Sequence, residues 1–200
     1  MKKGVISTLK TLKADIAKEK IKNAAAKLMA ECQHPSEVTS RAIAEEAGVQ
    51  LAMINYYFGS KEELLFCLFQ DLSKEQFQGI PEIYETIKGN LSPKEKLKKI
   101  HYYMISLMLE HYVYMQAVLG HVLLHRDLSQ GLNSLPFVIE HYKGRKTEAE
   151  CKLISYEMSS AMQLAVYRKD VLKDFCGMDL SDEAERKKFV EDQIDLFLID

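Results

Sequence analysis

Between Gln50 and Lys61 the chain gathers amide, phenol and ammonium groups in one short stretch. The amides of Gln50 and Asn55 can each pair bidentately with an adenine edge, which discriminates against other bases by about 1–3 kcal/mol. The phenols of Tyr56 and Tyr57 can donate to phosphate oxygens, contacts that fix position but carry little sequence information. These groups therefore have the chemistry to contact both the bases and the backbone of a nucleic acid.

Residues 38–61 predict two short helices joined by a tight turn, followed by the start of a third. Thr39 or Ser40 can cap the first helix, because a hydroxyl accepts from an unpaired N-terminal N–H. Gly48 ends it, since glycine adopts the left-handed C-cap conformation without steric cost. The second helix is predicted over 50–58 and has two faces: a buried stripe of Leu51, Ile54 and Phe58, and a free face of Gln50, Ala52, Met53, Asn55 and Tyr56. The pattern is that of a helix-turn-helix, whose second helix can lie in a major groove.

The same stretch resembles the DNA-binding domain of the TetR/AcrR (tetracycline-repressor-like) transcriptional regulators. The resemblance is specific over about residues 17–70. It rests on Thr39, Arg41, Ile43-Ala44, Ala47-Gly48-Val49, the aromatic run Tyr56-Tyr57-Phe58 and the Phe-x-Ser-Lys-Glu-x-Leu-Leu pattern over 58–65. It implies DNA contacts from Thr39, Arg41, Gln50, Ala52, Met53, Asn55, Tyr56, Tyr57 and Lys61.

The second helix also departs from the family. Many members have serine, lysine, glycine or alanine, and threonine where this chain has Gln50, Leu51, Ala52 and Met53. The chain thereby loses a charge and a hydroxyl and gains apolar surface on this helix. We therefore expect an operator rich in A·T pairs, read partly through thymine methyl groups.

The charge is distributed unevenly along the chain, although the net charge is only −2. Residues 1–61 hold 10 Lys or Arg against 6 Asp or Glu, whereas residues 62–200 hold 17 against 23. Residues 1–13 carry four lysines and no acid. They are predicted as a flexible basic arm or as a frayed extension of a first helix over 14–32. A basic N-terminal part on an acidic remainder is typical of a protein that meets a polyanion at one end.

The composition is that of a globular protein. A chain of 200 residues, 47% hydrophobic and 28% charged, can bury a substantial core. It contains no apolar run of 18 residues and no signal-peptide stretch, so neither a membrane partner nor export is predicted. No two of its four cysteines form a C-x-x-C pair, which argues against a zinc site or a disulfide framework. We therefore expect a cytoplasmic protein with reduced thiols.

The predicted fold class is all-α, because helical periodicity continues to the end of the chain. The N-terminal domain, residues 1–78, is predicted to hold the three-helix helix-turn-helix unit, the basic arm and a connecting helix over 61–78. The C-terminal domain, residues 79–200, is predicted as a helical dimerisation and effector-binding unit. Its expected helices cover about 82–88, 93–110, 112–128, 147–169 and 182–199, with a loop or broken helix over 129–146.

The resemblance further implies a homodimer on a pseudo-palindromic double-stranded DNA operator. The helices at about 147–169 and 182–199 would pack against their symmetry mates as a four-helix bundle. Two reading helices would then meet two half-sites. By resemblance alone, a repressor released by a small effector is expected rather than an activator.

Methionine and tyrosine residues of the C-terminal domain are candidates for contact with a small apolar or aromatic effector. Both residue types suit an adaptable pocket, and tyrosine also offers a hydroxyl. The same stripes at helical spacing are also typical of ordinary helix core. The candidates are Tyr103, Met104, Met108, Tyr112, Phe137, Tyr142, Met158 and Met162.

No catalytic residue, metal ligand or cofactor is assigned. His121 and His125 have the i, i+4 spacing of some metal sites, but they lack the glutamate of H-E-x-x-H. The chain shows no nucleophile elbow and no phosphate-binding glycine loop. Two alternatives remain open: an all-α enzyme with an unrecognised site, and a helical partner-binding protein whose helix-turn-helix is structural.

Overall fold

The computed structural model of the chain describes residues 2–78, 81–128 and 132–199. The regular structure within these ranges is helical, which confirms the predicted fold class. The described helices are α1 (Lys2–Glu31), α2 (Ser40–Ala47), α3 (Ala52–Phe58), α4 (Lys61–Gln78), α5 (Pro81–Lys88), α6 (Pro93–Glu110), α7 (Tyr112–His125), α8 (Leu135–Tyr142), α9 (Glu148–Tyr167), α10 (Lys169–Cys176) and α11 (Glu183–Phe197). A short 3-10 turn, Pro35–Glu37, joins α1 to α2. No helix in the described ranges combines the length and the apolar character needed to cross a membrane.

Helix α1 is longer than the helix predicted over 14–32. It begins at Lys2, so of the two alternatives for the basic segment the structure shows a helical extension over residues 2–13 and not a flexible arm. Ile21, Ala25 and Met29 are buried and follow the i, i+4 spacing of one helix face. This face packs α1 against α2 and α4.

The local signals of the helix-turn-helix act as predicted. The Thr39 hydroxyl accepts from the Ala42 N–H at 3.1 Å and caps α2. Gly48 ends α2 in the left-handed region, with φ 64° and ψ 38°. The Ser60 hydroxyl caps α4 by accepting from the Glu63 N–H at 3.0 Å. The predictions for Thr39 and Gly48 are confirmed.

One apolar centre holds the first four helices together. Burying a large aliphatic side chain stabilises a fold by about 1.5–3 kcal/mol. The fully buried members of this centre are Ile21, Ile43, Ile54, Leu64 and Leu65. They fix the orientation of α3 relative to α2 and leave one side of α3 free.

The predicted buried stripe of α3 is wrong at Leu51. The helix begins at Ala52, not at residue 50, and Leu51 is 49% exposed. The inner side of this seven-residue helix is occupied by Ile54, with Met53 and Phe58 packed against the core. Leu51 therefore adds an apolar group to the outer side, whereas Met53, predicted on that side, is half-buried.

Helix α7 connects the C-terminal part of the chain to the helix-turn-helix unit. It packs against α4 and against the 3-10 turn. His121 Nε2 of α7 lies 2.8 Å from Glu63 Oε1 of α4. Tyr114 of α7 lies close to Cys32, and burial raises the pKa of Tyr114 to about 12. Side-chain contacts of α7 with α4 therefore join the C-terminal part of the chain to the helix-turn-helix unit.

Two short helices differ from the sequence prediction. Helix α8 lies within the predicted loop or broken helix over 129–146, of which residues 129–131 are outside the described part of the chain. Helix α10 was not predicted. It is separated from α9 by Arg168 alone, with φ −109° and ψ 27°. A break without glycine or proline leaves no turn signal in the sequence.

Helix α9 has apolar residues on two opposite sides. Met158 and Met162 are buried on the inner side. On the outer side Leu153 is 55% exposed and Leu164 is 45% exposed. Because the two leucines are eleven residues apart, which is about three helical turns, they lie on the same helix face. The outer stripe also includes Tyr156, Ser160 and Tyr167.

Replacing glycine by alanine is expected to have opposite effects on stability at two positions. Gly48→Ala should destabilise the protein by about 1–2 kcal/mol, because Gly48 is left-handed and the added methyl gains no contact within 4 Å. Gly120→Ala, inside α7, should stabilise it by about 0.5–1 kcal/mol, since the methyl would lie 3.8 Å from the Tyr167 hydroxyl without a clash. Urea denaturation of both variants measures the difference, and shifts of the same sign would contradict this account.

Candidate nucleic-acid interface and cavity

The outer side of α3 is open to solvent. Tyr56 is 81% exposed, and Gln50, Ala52 and Asn55 are exposed as well. Together with Leu51 these residues present two amides, a phenol and two apolar groups on one short helix and its N-terminal flank. We call Gln50, Leu51, Ala52, Asn55 and Tyr56 the α3 face.

Tyr57 borders the α3 face and is held in place by its neighbours. It is half-buried and packs against the core. Its ring meets the Tyr56 ring edge-on with centroids 5.0 Å apart, and Lys18 Nζ lies 5.9 Å from its centroid. An ammonium over an aromatic ring is attracted to the ring face. Tyr57 therefore presents its phenol from an ordered position.

Thr39 and Lys61 lie at the N-terminal ends of α2 and α4, where unpaired N–H groups and the helix dipole favour an anion. The Thr39 hydroxyl accepts from α2, and a hydroxyl can donate at the same time. Lys61 Nζ lies 3.7 Å from Glu62 Oε1, a loose contact. Arg41 is exposed in the first turn of α2. These three side chains can therefore meet phosphates beside the α3 face.

Two other lysines of α1 stabilise the helix-turn-helix unit internally. Lys22 Nζ lies 2.6 Å from Asp71 Oδ2 of α4, and Lys27 Nζ lies 2.7 Å from Glu46 Oε1 of α2. The hydrogen bonds to these carboxylates raise the pKa of both lysines. Their charges are therefore neutralised by acids of the same unit, so the exposed Lys18 and Lys20 contribute more to the basic surface of α1.

The C-terminal part encloses a cavity of about 770 Å³ between α5, α6, α8, α9 and the end of α7. This volume is in the range of sites that bind small organic molecules. Its walls are mostly aliphatic side chains and methionines. The described residues that line it are Pro81, Ile83, Ile87, Ile100, His101, Met104, Ile105, Met108, Arg126, Leu132, Asn133, Ser134, Phe137, Ser159, Met162 and Gln163.

The cavity brings together four of the eight predicted effector contacts: Met104, Met108, Phe137 and Met162. The other four lie elsewhere. Met158 is fully buried core, and Tyr142 is buried with its hydroxyl donating to the Phe197 carbonyl at 3.0 Å. Tyr103 lines a separate groove against α11. Tyr112 donates to the Tyr167 carbonyl at 3.3 Å.

Sequence reasoning missed the polar residues of the cavity wall. They are His101, Arg126, Asn133, Ser134, Ser159 and Gln163. His101 precedes Met104 by three residues, so helical spacing could have placed both on one face. Arg126 and Ser134 flank residues 127–133 of the chain, and no periodic pattern connects them to α6.

A second cavity, of about 350 Å³, reaches from the first one toward α4. Phe66, Phe69, Gln70, Ser73 and Lys74 of α4 line it on one side. Five residues line both cavities: Met104, Met108, Arg126, Asn133 and Gln163. A molecule in the larger cavity would therefore contact side chains that also face α4.

The two histidines of α7 are engaged with their surroundings. Their rings lie 4.9 Å apart, and His121 approaches Glu63 at 2.8 Å. Within the described residues no group of three or more His, Cys, Asp or Glu side chains could hold a metal ion. The i, i+4 pair instead forms part of the contact between α7 and α4.

His101 predicts a dependence of stability on pH. Its Nδ1–H donates to the Leu97 carbonyl at 3.0 Å, but burial has the larger effect and lowers its pKa. His101 therefore takes up a proton more readily in the unfolded chain than in the folded protein. Its contribution to stability is fully present above about pH 6.5 and is lost as the pH falls below that value. The melting temperature of His101→Gln should fall less than that of the native protein when the pH is lowered from about 7.5 to 5.5. His34→Gln, which alters an exposed loop histidine, is the control and should behave as native.

Comparison with known proteins agrees with this geometry. Residues 21–67 match the family model for bacterial regulatory proteins of the tetR family, a range that contains α2, α3 and the start of α4. A comparison with curated proteins finds no match to the chain. The left-handed turn, the free outer side of α3 and the family match define a helix-turn-helix DNA-binding protein. The chain therefore carries, over residues 21–67, the DNA-binding domain of the tetR family of bacterial regulatory proteins.

Proposed function

We propose that the chain is a cytoplasmic, homodimeric repressor that binds a pseudo-palindromic operator through two copies of α3 and releases it when a small effector occupies the cavity. The observation that carries this proposal is the α3 face, five solvent-exposed side chains on one side of a short helix and its N-terminal flank, while the other side of the helix packs into a core. A helix held in this way can enter a major groove.

We assign base contacts to the α3 face except Tyr56, and phosphate contacts to Tyr56 and to the residues around the face. Gln50 and Asn55 carry exposed amides that can pair with adenine. Leu51 and Ala52 can touch thymine methyl groups. The partly buried Met53 would contribute at most the edge of its side chain.

Phosphate contacts are proposed for Thr39, Arg41, Tyr56, Tyr57 and Lys61, which lie at helix N-termini or carry hydroxyl or cationic groups beside the α3 face. Such contacts supply affinity and position, and they make binding depend on salt. The residues of the base-contact and phosphate-contact groups form the proposed DNA site.

Dimerisation is proposed through the outer side of α9 together with α11. The support is stronger for α9, where Leu153, Tyr156, Leu164 and Tyr167 are exposed apolar residues at helical spacing. On α11 the exposed apolar residues are fewer, Leu196 and, just beyond the helix, Ile199. A stripe of this kind needs a partner, and a second copy offers the same stripe in return.

The proposed domains are residues 1–78 for DNA binding and residues 79–200 for dimerisation and effector binding. The contact of α7 with α4, including His121 and Glu63, supports a mechanical link between them. An effector can shift the protein between a DNA-binding and a released conformation only if it binds one of the two more tightly. The two conformations would differ in the spacing of the two α3 helices in the dimer. The residues shared by the two cavities support a route from effector to α4.

The test is binding to DNA from upstream of the gene over a salt series, with the native protein, Tyr56→Phe and Lys61→Ala. Each phosphate that a lysine or arginine neutralises contributes about 0.9 to the slope of log affinity against log salt, whereas a neutral phenol contributes nothing to it. Lys61→Ala should therefore weaken binding and lower the slope by about 1.8 in a dimer, whereas Tyr56→Phe should weaken binding with the slope unchanged. Lys99→Ala, at an exposed lysine of α6, is the control and should leave both unchanged.

Absence of binding at low salt, to this DNA or to a random-sequence pool, would contradict the proposal. It would favour the alternative hypothesis that the chain is a helical partner-binding protein whose helix-turn-helix is structural.

A further inference from the structure

Arg126 brings a positive charge to the cavity without a matching acid. It lines both cavities. Partial burial lowers its pKa, and no ion pair joins it to any carboxylate among the described residues. The described residues of the cavity wall include no Asp or Glu. A cation that is partly desolvated and unpaired is a strong attractor for an anion.

Ser134 provides a second polar group of the same wall. Its side chain is only 6% exposed, and its hydroxyl has no hydrogen-bond partner among the residues that the structure describes. Buried hydroxyls are nearly always paired, so this one, on a residue of the cavity wall, can still donate a hydrogen bond if its side chain rotates toward the cavity.

Much of the remaining wall is apolar, and it comes largely from other helices than Arg126 does. Ile83 and Ile87 come from α5, Ile100 and Met104 from α6, and Phe137 from α8. An apolar body fits there by burial of its surface. Arg126 is itself exposed, so a charged group beside it keeps part of its hydration and pays less for desolvation.

We propose that the effector is an organic carboxylate with an apolar body, its carboxylate bound by Arg126 and Ser134 and its body lying among the isoleucines and methionines of the larger cavity. This inference rests on the effector cavity of the proposed function and names the class of molecule that fills it. Arginine and a hydroxyl can donate to a carboxylate together, and arginine can do so through two parallel hydrogen bonds.

Calorimetric titration with octanoate, octan-1-ol and octylamine tests the proposal, because the three probes share a chain and differ in head-group charge. The native protein should bind octanoate at least about tenfold more tightly than octan-1-ol, and octylamine most weakly. Arg126→Gln should reduce octanoate binding to within about twofold of octan-1-ol and leave octan-1-ol unchanged. Ser134→Ala should weaken octanoate alone, by a smaller factor.

Arg168→Gln is the matched control, since Arg168 is exposed and outside the cavity. It should keep the native preference. Equal affinity for octanoate and octan-1-ol, no binding of octanoate, or a tenfold preference that survives Arg126→Gln would each overturn the inference. The DNA salt series, run on the same protein, distinguishes failure of this inference from failure of the proposed function. If DNA binding depends on salt but octanoate is not preferred, the carboxylate inference is wrong and the proposed DNA binding stands.

Discussion

Replacing Leu153 and Leu164 together with glutamate is expected to give a folded monomer that binds the operator at least about 100-fold more weakly than the native protein. Both leucines are about half exposed in the single chain, so the substitutions should not disturb its core. In a symmetric dimer each change occurs twice and places carboxylates against an apolar stripe. The two α3 helices are then no longer held in one molecule, so the gain in affinity from binding two half-sites of the same DNA is lost.

Analytical ultracentrifugation and DNA titration measure this effect, with circular dichroism to check folding. Leu91→Glu is the control, because Leu91 is also an exposed leucine but lies between α5 and α6. It should remain dimeric and bind DNA as the native protein does. A folded double variant that is still dimeric with unchanged affinity would place the interface elsewhere, with the exposed Val171 and Phe175 of α10 as the next surface to test.

Asn55→Ala should lower affinity by about 5- to 150-fold for each half-site, the equivalent of about 1–3 kcal/mol for one bidentate base contact, and the dimer on its operator loses this contact twice. Asn55 is exposed near the middle of α3, and the Ile54 beside it is fully buried, so the helix presents the amide from a fixed position. The variant should also accept a changed base pair at one position of each half-site. Affinity for unrelated DNA should be unchanged, because the phosphate contacts remain.

Titrations with the operator, with single-base variants of it and with unrelated DNA separate these effects. Asn90→Ala, at an exposed asparagine in the segment between α5 and α6, should match the native protein in all three. If Asn55→Ala weakened operator and unrelated DNA by the same factor, Asn55 would be a general backbone contact and the assignment of base reading to it would be wrong.

The helix-turn-helix could be predicted from sequence because its signals are local. A hydroxyl at Thr39, a glycine at position 48 and a hydroxyl at Ser60 each act within four residues of their own position. Leu51 was assigned to the wrong side because a seven-residue helix offers two nearly equivalent apolar stripes. Which one turns inward depends on the packing of α1 and α4, which no local pattern contains.

The cavity was harder to predict than the helices around it. Methionine and aromatic residues occur in the core and in the cavity alike, so residue type did not separate Met158, which is core, from Met162, which lines the cavity. Arg126 and Ser134 approach the same space from the end of α7 and the start of α8. That proximity results from the tertiary path of the chain and has no sequence period.

Selection of bound duplexes from a random-sequence pool with the native protein tests whether this chain reads DNA sequence. An inverted repeat with two equal half-sites should be enriched, rich in A·T pairs because of the amides and apolar groups of the α3 face. A G·C-rich inverted repeat would overturn only the assignment of base contacts. Failure to enrich any motif at low salt would contradict the claim that this chain reads DNA sequence.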